Sequence, residues 1–233
     1  MAAIIKRELS SYFNSALGFI ILAVFFFFSG LFFWYTVNHD SSSLSYVFSS
    51  MITIIVFLIP LMTMKSFAEE KRQKTDQALL TAPVSLVGIV MGKFISSIIL
   101  FALCNSIFIV YIIFIAIFTA PDWIIFLTTL LGFLLMGAAL ISIGLFISTL
   151  TESQAVAAIF SVAAGLLILM LDSFASGVNI GFIKEALYSV SFYRHFYPFT
   201  YGVITLSGVV FFTTVTALFL FLCIRVLEKR RWS

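Results

Sequence analysis

Few side chains in this sequence could carry out chemistry, and the most suggestive group lies between residues 69 and 94. Gly88 and Gly92 precede Lys93, a pattern similar to a phosphate-binding loop, in which backbone N–H groups and a lysine hold phosphates. That loop needs four residues between its glycines and a Ser or Thr after the lysine. This chain has three residues between Gly88 and Gly92, and Phe94 follows the lysine in place of Ser or Thr. We therefore expect no nucleotide to bind here.

The other reactive residue types are equally isolated. The pair Glu69–Glu70 is similar to the glutamates of membrane-embedded prenyl-protein proteases, but their arginine is absent and no apolar run holds a histidine. His39 and His195 lie far apart in polar connections, which argues against a metal site. Cys104 and Cys223 fall within apolar runs, where a disulfide framework is not expected. We expect no catalytic residue, metal or cofactor in this chain.

The composition requires lipid as the main solvent. Apolar residues make up 62% of the 233 residues and charged residues 10%, with a mean hydropathy of +1.19. Soluble domains average about 25% charged residues, and a soluble domain of this size could not hide so much apolar surface. The fold class indicated is all-α, a polytopic membrane protein.

Six apolar runs are long enough to cross a bilayer as helices, which takes roughly 20 residues. They cover Leu17–Val37, Tyr46–Met64, Phe94–Phe118, Trp123–Leu150, Ala155–Leu171 and Gly202–Ile224. The fifth is the shortest, and its outer end could merge with the external segment after it. An even number of spans places both termini on one side.

The basic residues predict which side that is, because cytoplasmic loops carry an excess of Lys and Arg. With both termini inside, eleven basic residues are cytoplasmic and two, Lys184 and Arg194, are external. We therefore predict that both termini of this multi-pass membrane protein are cytoplasmic.

Three segments between or before the spans have patterns of their own. Residues 3–16 alternate apolar and polar positions at helical spacing, which predicts an amphipathic helix at the inner interface; a simple basic flank is the alternative. The internal segment 65–93 has good helix formers up to Pro83, after which Ser85 can cap a new helix. The charges of Phe67–Ser85 sum to zero, so this is a shaped docking element or a solvated loop rather than a polybasic lipid patch.

The external segment 172–201 is rich in aromatic residues, which prefer the membrane–water boundary. It predicts short helices at the outer leaflet, and a plain aromatic belt is the alternative. The candidates for an external gate are Phe192, Tyr193, Phe196 and Tyr197.

The proposed spans contain no Asp, Glu, Lys, Arg or His. Ion-driven transporters need such residues at depth, so the chain has no visible energy source. A cytoplasmic partner that docks on the internal segment would supply one.

Three motifs resemble the permease subunits of ABC-2 type exporters, including bacterial gliding-motility permeases. They are Ile5–Phe13, Lys74–Ser85 with the following Gly92–Phe94, and Arg225–Arg231. The resemblance implies a single transmembrane domain over residues 1–233 that pairs with a second copy or a paralogue. It also implies a multi-pass protein of the bacterial cytoplasmic membrane. Separate cytoplasmic ABC ATPase subunits would hold the ATP and magnesium.

The resemblance further assigns roles to residues. The N-terminal helix would be the elbow helix, represented by Lys6, Arg7, Glu8, Tyr12 and Phe13. The coupling element would comprise Glu69, Glu70, Lys71, Arg72, Lys74, Asp76, Leu79, Leu80, Pro83 and Ser85.

The predicted function is therefore an export permease driven by partner ATPases, not an enzyme itself. The bilayer and the ATPases are its expected partners, with an extracytoplasmic accessory protein as a further one and no nucleic acid. A non-transporting scaffold or signalling subunit that anchors an ATPase is the alternative.

Overall fold

The apolar runs fold as helices because backbone N–H and C=O groups have no water to bind in hydrocarbon and must pair within their own segment. The computed structural model describes residues 2–39, 43–74, 85–177 and 181–232, and these contain no strand. The helices, in chain order, are α1 (Ala2–Asn14), α2 (Ala16–Asn38), α3 (Ser45–Arg72), α4 (Leu86–Asn105), α5 (Ile107–Phe118), α6 (Trp123–Leu150), α7 (Gln154–Gly177), α8 (Gly181–Val190), α9 (Phe192–Phe196), a 3-10 turn (Tyr197–Tyr201) and α10 (Leu206–Trp232).

Six of these helical stretches are long and apolar enough to cross a membrane, as predicted. They are α2, α3, α4 together with α5, α6, α7 and α10. The fifth, which the sequence left least certain, is a helix of 24 residues. The chain is an all-α polytopic membrane protein.

Two helices differ from the bounds of the predicted apolar runs, and one predicted start is confirmed. The helix of the second run does not end near Met64 but continues without a break through Arg72. The helix that leads into the third run begins at Leu86, after the predicted cap at Ser85, so Lys93 lies inside it. The helix of the sixth run begins at Leu206, because Gly202 adopts a left-handed conformation with φ +81° that ends the preceding turn.

The chain bends between α1 and α2, where the backbone at Gly18 lies close to the carbonyl of Tyr12. A Cβ atom on Gly18 would lie 2.6 Å from the carbonyl oxygen of Tyr12, so only glycine fits there. The Ser15 hydroxyl donates to the same carbonyl at 3.2 Å. The turn thus brings α1 back against the bundle, where it packs on α4.

Helix α6 lies at the centre of the bundle and contacts α3, α4, α7 and α10. Its glycines let side chains of neighbouring elements approach its backbone: Gly132 faces Phe199, and Gly137 faces Phe101. Small residues at such contacts are the usual means of packing helices in membranes. These glycines are therefore close-packing positions of α6.

The third span is interrupted at Ser106, whose backbone N–H donates to Leu103 O instead of the residue four positions back. The Asn105 side chain donates to Phe101 O at 2.7 Å, and the Ser106 hydroxyl to Leu103 O at 2.7 Å. Side-chain groups that bond into the helical ladder are a recognised cause of such breaks.

The segment before α10 is anchored to the same end of the bundle by threonine and serine hydroxyls. Thr128 and Thr129 on α6 both donate to the carbonyl of Phe199 at 3.0 Å. Ser45, at the start of α3, donates to Thr200 O at 3.0 Å. The predicted short helices are therefore present as α8 and α9, followed by a fixed 3-10 turn.

Candidate coupling site at the charged end of the bundle

A buried lysine joins three helices at the end of the bundle where α1 lies. Lys93, on the second turn of α4, has a side chain only 1% exposed. Its ammonium group contacts Glu8 of α1 and Glu70 of α3, each at 2.9 Å, and donates to the carbonyl of Ser66 at 2.5 Å. An ammonium has three protons to donate, and these three acceptors match them.

Arg7 completes this ion cluster, which consists of Arg7, Glu8, Glu70 and Lys93. Its guanidinium lies 2.6 Å from Glu70 and 3.0 Å from Glu8, so each carboxylate is held between two cations. The formal charges sum to zero. Partial burial by itself lowers the pKa of Arg7, but the hydrogen bonds and charges of both glutamates outweigh it and raise that pKa.

The cluster is partly closed to water, so its positive and negative charges must compensate one another. Glu8 is 13% exposed, Glu70 is 17% exposed, and the Phe67 ring lies 5.0 Å from the Lys93 nitrogen. Moving ions out of water costs several kcal/mol per ion, which only good pairing offsets. Removal of one member therefore leaves a charge that the site cannot solvate well.

Tyr12 fixes α1 to the same two helices a turn deeper. Its hydroxyl donates to Met62 O on α3 at 2.7 Å and lies 3.4 Å from the hydroxyl of Ser97 on α4. Burial raises the pKa of Tyr12, because a phenolate would lose its hydration there. The hydroxyl is therefore kept as a neutral donor.

The opposite side of α3 is bound to α6 and to the turn after α6. Ser148 of α6 accepts from the backbone N–H groups of Phe67 and Ala68 at 3.2 and 3.1 Å. Lys71 lies 3.4 Å from Glu152, in the turn between α6 and α7. The last two turns of α3 are thus held between α1 with α4 on one side and α6 with α7 on the other.

Helix α3 ends in a left-handed residue directly after this region. Lys74 has φ +56°, and its N–H donates to Lys71 O at 3.2 Å. A left-handed residue at this position is a common way to stop a helix. The described part of the chain resumes at Ser85, whose hydroxyl accepts from Gly88 N at 3.1 Å as the predicted cap of α4.

A polar cavity of about 310 Å³ adjoins the ion cluster between α1, the end of α3 and α4. Lys65, Glu69 and Gln73 line it together with members of the cluster. Gln73 donates to Glu69 at 3.2 Å. The cavity gives water access to the outer side of the cluster but leaves Lys93 buried.

The family of the chain is established by comparison with known proteins. The family model described as ABC-2 family transporter protein matches residues 35–227. The chain belongs to this family. A search of the curated proteins found no match. This ABC-2 protein is therefore a transport permease, the membrane component of its system and not the ATPase.

The predicted coupling residues of the permease fall into three groups. Glu70 and Lys71 face neighbouring helices in ion pairs, and Glu69 is half-buried on the cavity. Arg72 and Lys74 are exposed. The predicted residues Asp76, Leu79, Leu80 and Pro83 lie outside the described residues.

The predicted elbow residues also divide. Tyr12 is buried, Phe13 is half-buried against the core, and Glu8 belongs to the ion cluster. Lys6 is exposed on the polar face, and so is Arg7, although Arg7 also belongs to the ion cluster. The amphipathic pattern of α1 is thus satisfied by protein contacts on its apolar side.

The four external gate candidates do not share one environment. Phe192 and Phe196 are core residues, with Phe192 packed edge-on against Phe212 and Phe196 against Phe133. Tyr193 and Tyr197 are 41% and 46% exposed.

Sequence reasoning missed Lys93 as a site residue. It predicted the helix that Ser85 begins, but it treated Lys93, on the second turn of that helix, only as a basic residue of the internal segment. The available signal was the pairing of a helix cap with a lysine among apolar neighbours, followed by Phe94. Its partners, 85 and 23 positions away, gave no local signal.

Proposed function

We propose that this permease is the membrane subunit of an ATP-driven exporter in the bacterial cytoplasmic membrane. Separate ABC ATPase subunits dock on the segment between α3 and α4, and the permease works with a second copy or a paralogue. Family membership supports the general partnership with an ATPase. The cytoplasmic position of the charged end rests on the distribution of basic residues.

The observation that carries the proposal is the double attachment of the end of α3. Glu70 binds it to α1 and α4 through Lys93, and Lys71 binds it to the α6–α7 turn through Glu152. A displacement of the segment after Lys74 would act on all these elements together. Packed side chains, ion pairs and rigid helices can carry coupling between sites, and the end of α3 is joined to its neighbours by such ion pairs.

The proposal separates docking from transmission. The exposed residues Arg72 and Lys74 are available to a partner, whereas Glu70 is engaged inside the bundle. We therefore assign ATPase contact to Arg72, Lys74 and the segment directly after them, and transmission to Glu70 and Lys93.

Charge reversal tests the docking assignment. The double variant Arg72→Glu, Lys74→Glu is expected to reduce the ATPase that co-purifies with the permease by tenfold or more, with normal insertion. A matched reversal of the exposed Arg225, on α10, should leave the amount of bound ATPase unchanged. Undiminished ATPase on the double variant would contradict docking at this segment.

The alternative, a non-transporting scaffold, makes a different prediction for the assembled complex. A scaffold would hold the ATPase without making hydrolysis depend on a transported substrate. In reconstituted vesicles, hydrolysis that no candidate substrate stimulates, with no substrate movement, would favour the scaffold.

A further inference from the structure

We propose that the groove formed by Asp172, Tyr188, Tyr193, Arg194 and Tyr197 binds the headgroup of a zwitterionic phospholipid, with its phosphate on Arg194 and its ammonium among the tyrosines and Asp172. This groove of about 460 Å³ lies at the end of the bundle opposite the ion cluster. The inference does not rest on ATP-driven export and applies to the permease in any membrane role.

The first step is the state of Arg194. Its guanidinium stacks over the ring of Tyr188, with its central carbon 4.4 Å from the ring centroid. Among the described residues it has no carboxylate partner. Stacking leaves the N–H edge of the guanidinium free to donate, and that planar fork suits a phosphate.

Arg225 provides a comparison for this arrangement. Arg225 also lies over an aromatic ring, that of Phe221 at 4.9 Å, but it donates to Glu228 at 2.8 Å. Arg194 stacks on the Tyr188 ring and has no carboxylate partner among the described residues.

The second step is Asp172, which lies near the end of α7 and lines the same groove. It is half-buried and makes no ion pair or hydrogen bond among the described residues. Asp172 and Arg194 also do not pair with each other. One groove thus offers a separate negative and a separate positive group, which complements a ligand with both charges.

The third step is the aromatic lining. The rings of Tyr193 and Tyr197 lie 5.9 Å apart at 36°, and both are well exposed. The Tyr197 and Tyr201 hydroxyls are 2.6 Å apart, which fixes the orientation of the Tyr197 ring. Aromatic faces attract ammonium groups, and clusters of such rings recognise choline-like cations. Lys184, 5.9 Å from the Tyr188 ring, adds a second cation for the phosphate side.

The fourth step is the path for the acyl chains. Exposed apolar side chains directly follow the turn that carries Tyr197: Val203 is 53% exposed, Ile204 58% and Leu206 78%. Tyrosines concentrate at the membrane–water boundary. A lipid in the groove would therefore keep its headgroup at that boundary and its chains along these side chains. These features favour a lipid over a soluble zwitterion.

Native mass spectrometry of the permease in maltoside detergent tests the proposal. Phosphatidylethanolamine and phosphatidylglycerol with identical acyl chains are added separately, and the bound fraction is measured. The wild type is expected to bind phosphatidylethanolamine several-fold more tightly. Arg194→Gln should weaken binding of both lipids about tenfold, as expected for loss of a charge-assisted hydrogen bond. Asp172→Asn should weaken binding of phosphatidylethanolamine alone.

Arg225→Gln is the matched control and should bind as the wild type does. Equal binding of both lipids by the wild type, or equal losses in Arg194→Gln and Arg225→Gln, would overturn the proposal. Free glycerophosphoethanolamine should compete only weakly, because it lacks the chains. Competition as strong as that of the intact lipid would reassign the site to a soluble headgroup and overturn the lipid assignment. Tyr193→Leu, which keeps the groove apolar without a π face, should also lower the preference for phosphatidylethanolamine.

Discussion

Replacement of Lys93 by methionine removes the ammonium from the ion cluster and keeps most of the side chain volume. The three acceptors of that ammonium, Glu8, Glu70 and the Ser66 carbonyl, lose their donor together. The formal charge of the cluster changes from zero to minus one. Two partly buried carboxylates then face each other across the Arg7 guanidinium.

The expected cost can be estimated from these contacts. Removal of one partner of a buried ion pair costs about 3–5 kcal/mol. Because Arg7 still contacts both glutamates, we take the lower end, about 3 kcal/mol. At roughly 2–4 °C per kcal/mol for a chain of this length, the midpoint temperature of thermal unfolding should fall by about 6–12 °C.

The assay is the fraction of permease that stays monodisperse in detergent after heating, measured by size-exclusion chromatography. Lys6→Met is the matched control, because Lys6 is exposed on α1 outside the cluster. Its midpoint should stay within about 2 °C, as for most surface substitutions.

A charge-neutral combination tests the physical reason. Lys93→Met with Glu70→Gln removes one positive and one negative charge and leaves Arg7 paired with Glu8, so it should recover most of the lost midpoint temperature because no carboxylate is left uncompensated. If Lys93→Met had the same midpoint temperature as Lys6→Met, or if the double variant were the least stable of all, the account of the cluster would be refuted.

Two further predictions concern α1 and α6. Tyr12→Phe removes the hydroxyl bound to Met62 O and should cost about 1 kcal/mol. The pKa of Tyr12 is raised in the folded state, so its contribution to the free energy of unfolding is complete below the unfolded pKa of about 10 and is lost as the pH rises through the folded value. Above pH 10 the midpoint temperature of the wild type should therefore fall more than that of Tyr12→Phe. Gly137→Ala should cost about 1–3 kcal/mol, because the new methyl would overlap the buried Phe101 ring, whereas Gly30→Ala, with its nearest atom at 3.6 Å, should be tolerated; equal effects would contradict the close packing.

The transmembrane part of the fold was predictable because length and apolarity alone define a span. The helix ends were not. Helix α3 continues through Arg72 since its charged residues are good helix formers with partners on neighbouring helices, and only the left-handed Lys74 stops it. Composition shows where a helix leaves the hydrocarbon, but it does not show where the helix ends.

The candidate site was predictable in location and only partly in residues. The sequence pointed to the segment after the second span, and the described residues there include exposed charges at Arg72 and Lys74. It could not reveal that Glu70 turns inward to Lys93, because that pairing depends on the packing of α1 and α4. In the external segment, the sequence could not show that Phe192 and Phe196 are buried in the core while Tyr193 and Tyr197 are exposed, because this division depends on the tertiary structure.

Site-specific cross-linking to the ATPase tests the central claim most directly. A photoreactive amino acid replaces Lys74 in one variant and Tyr201, at the opposite end of the bundle, in the other. Docking at the end of α3 predicts a cross-linked permease–ATPase product from position 74 that increases when a non-hydrolysable ATP analogue is bound, and none from position 201. A product from position 201, or none from position 74 in a complex that still hydrolyses ATP, would contradict the account.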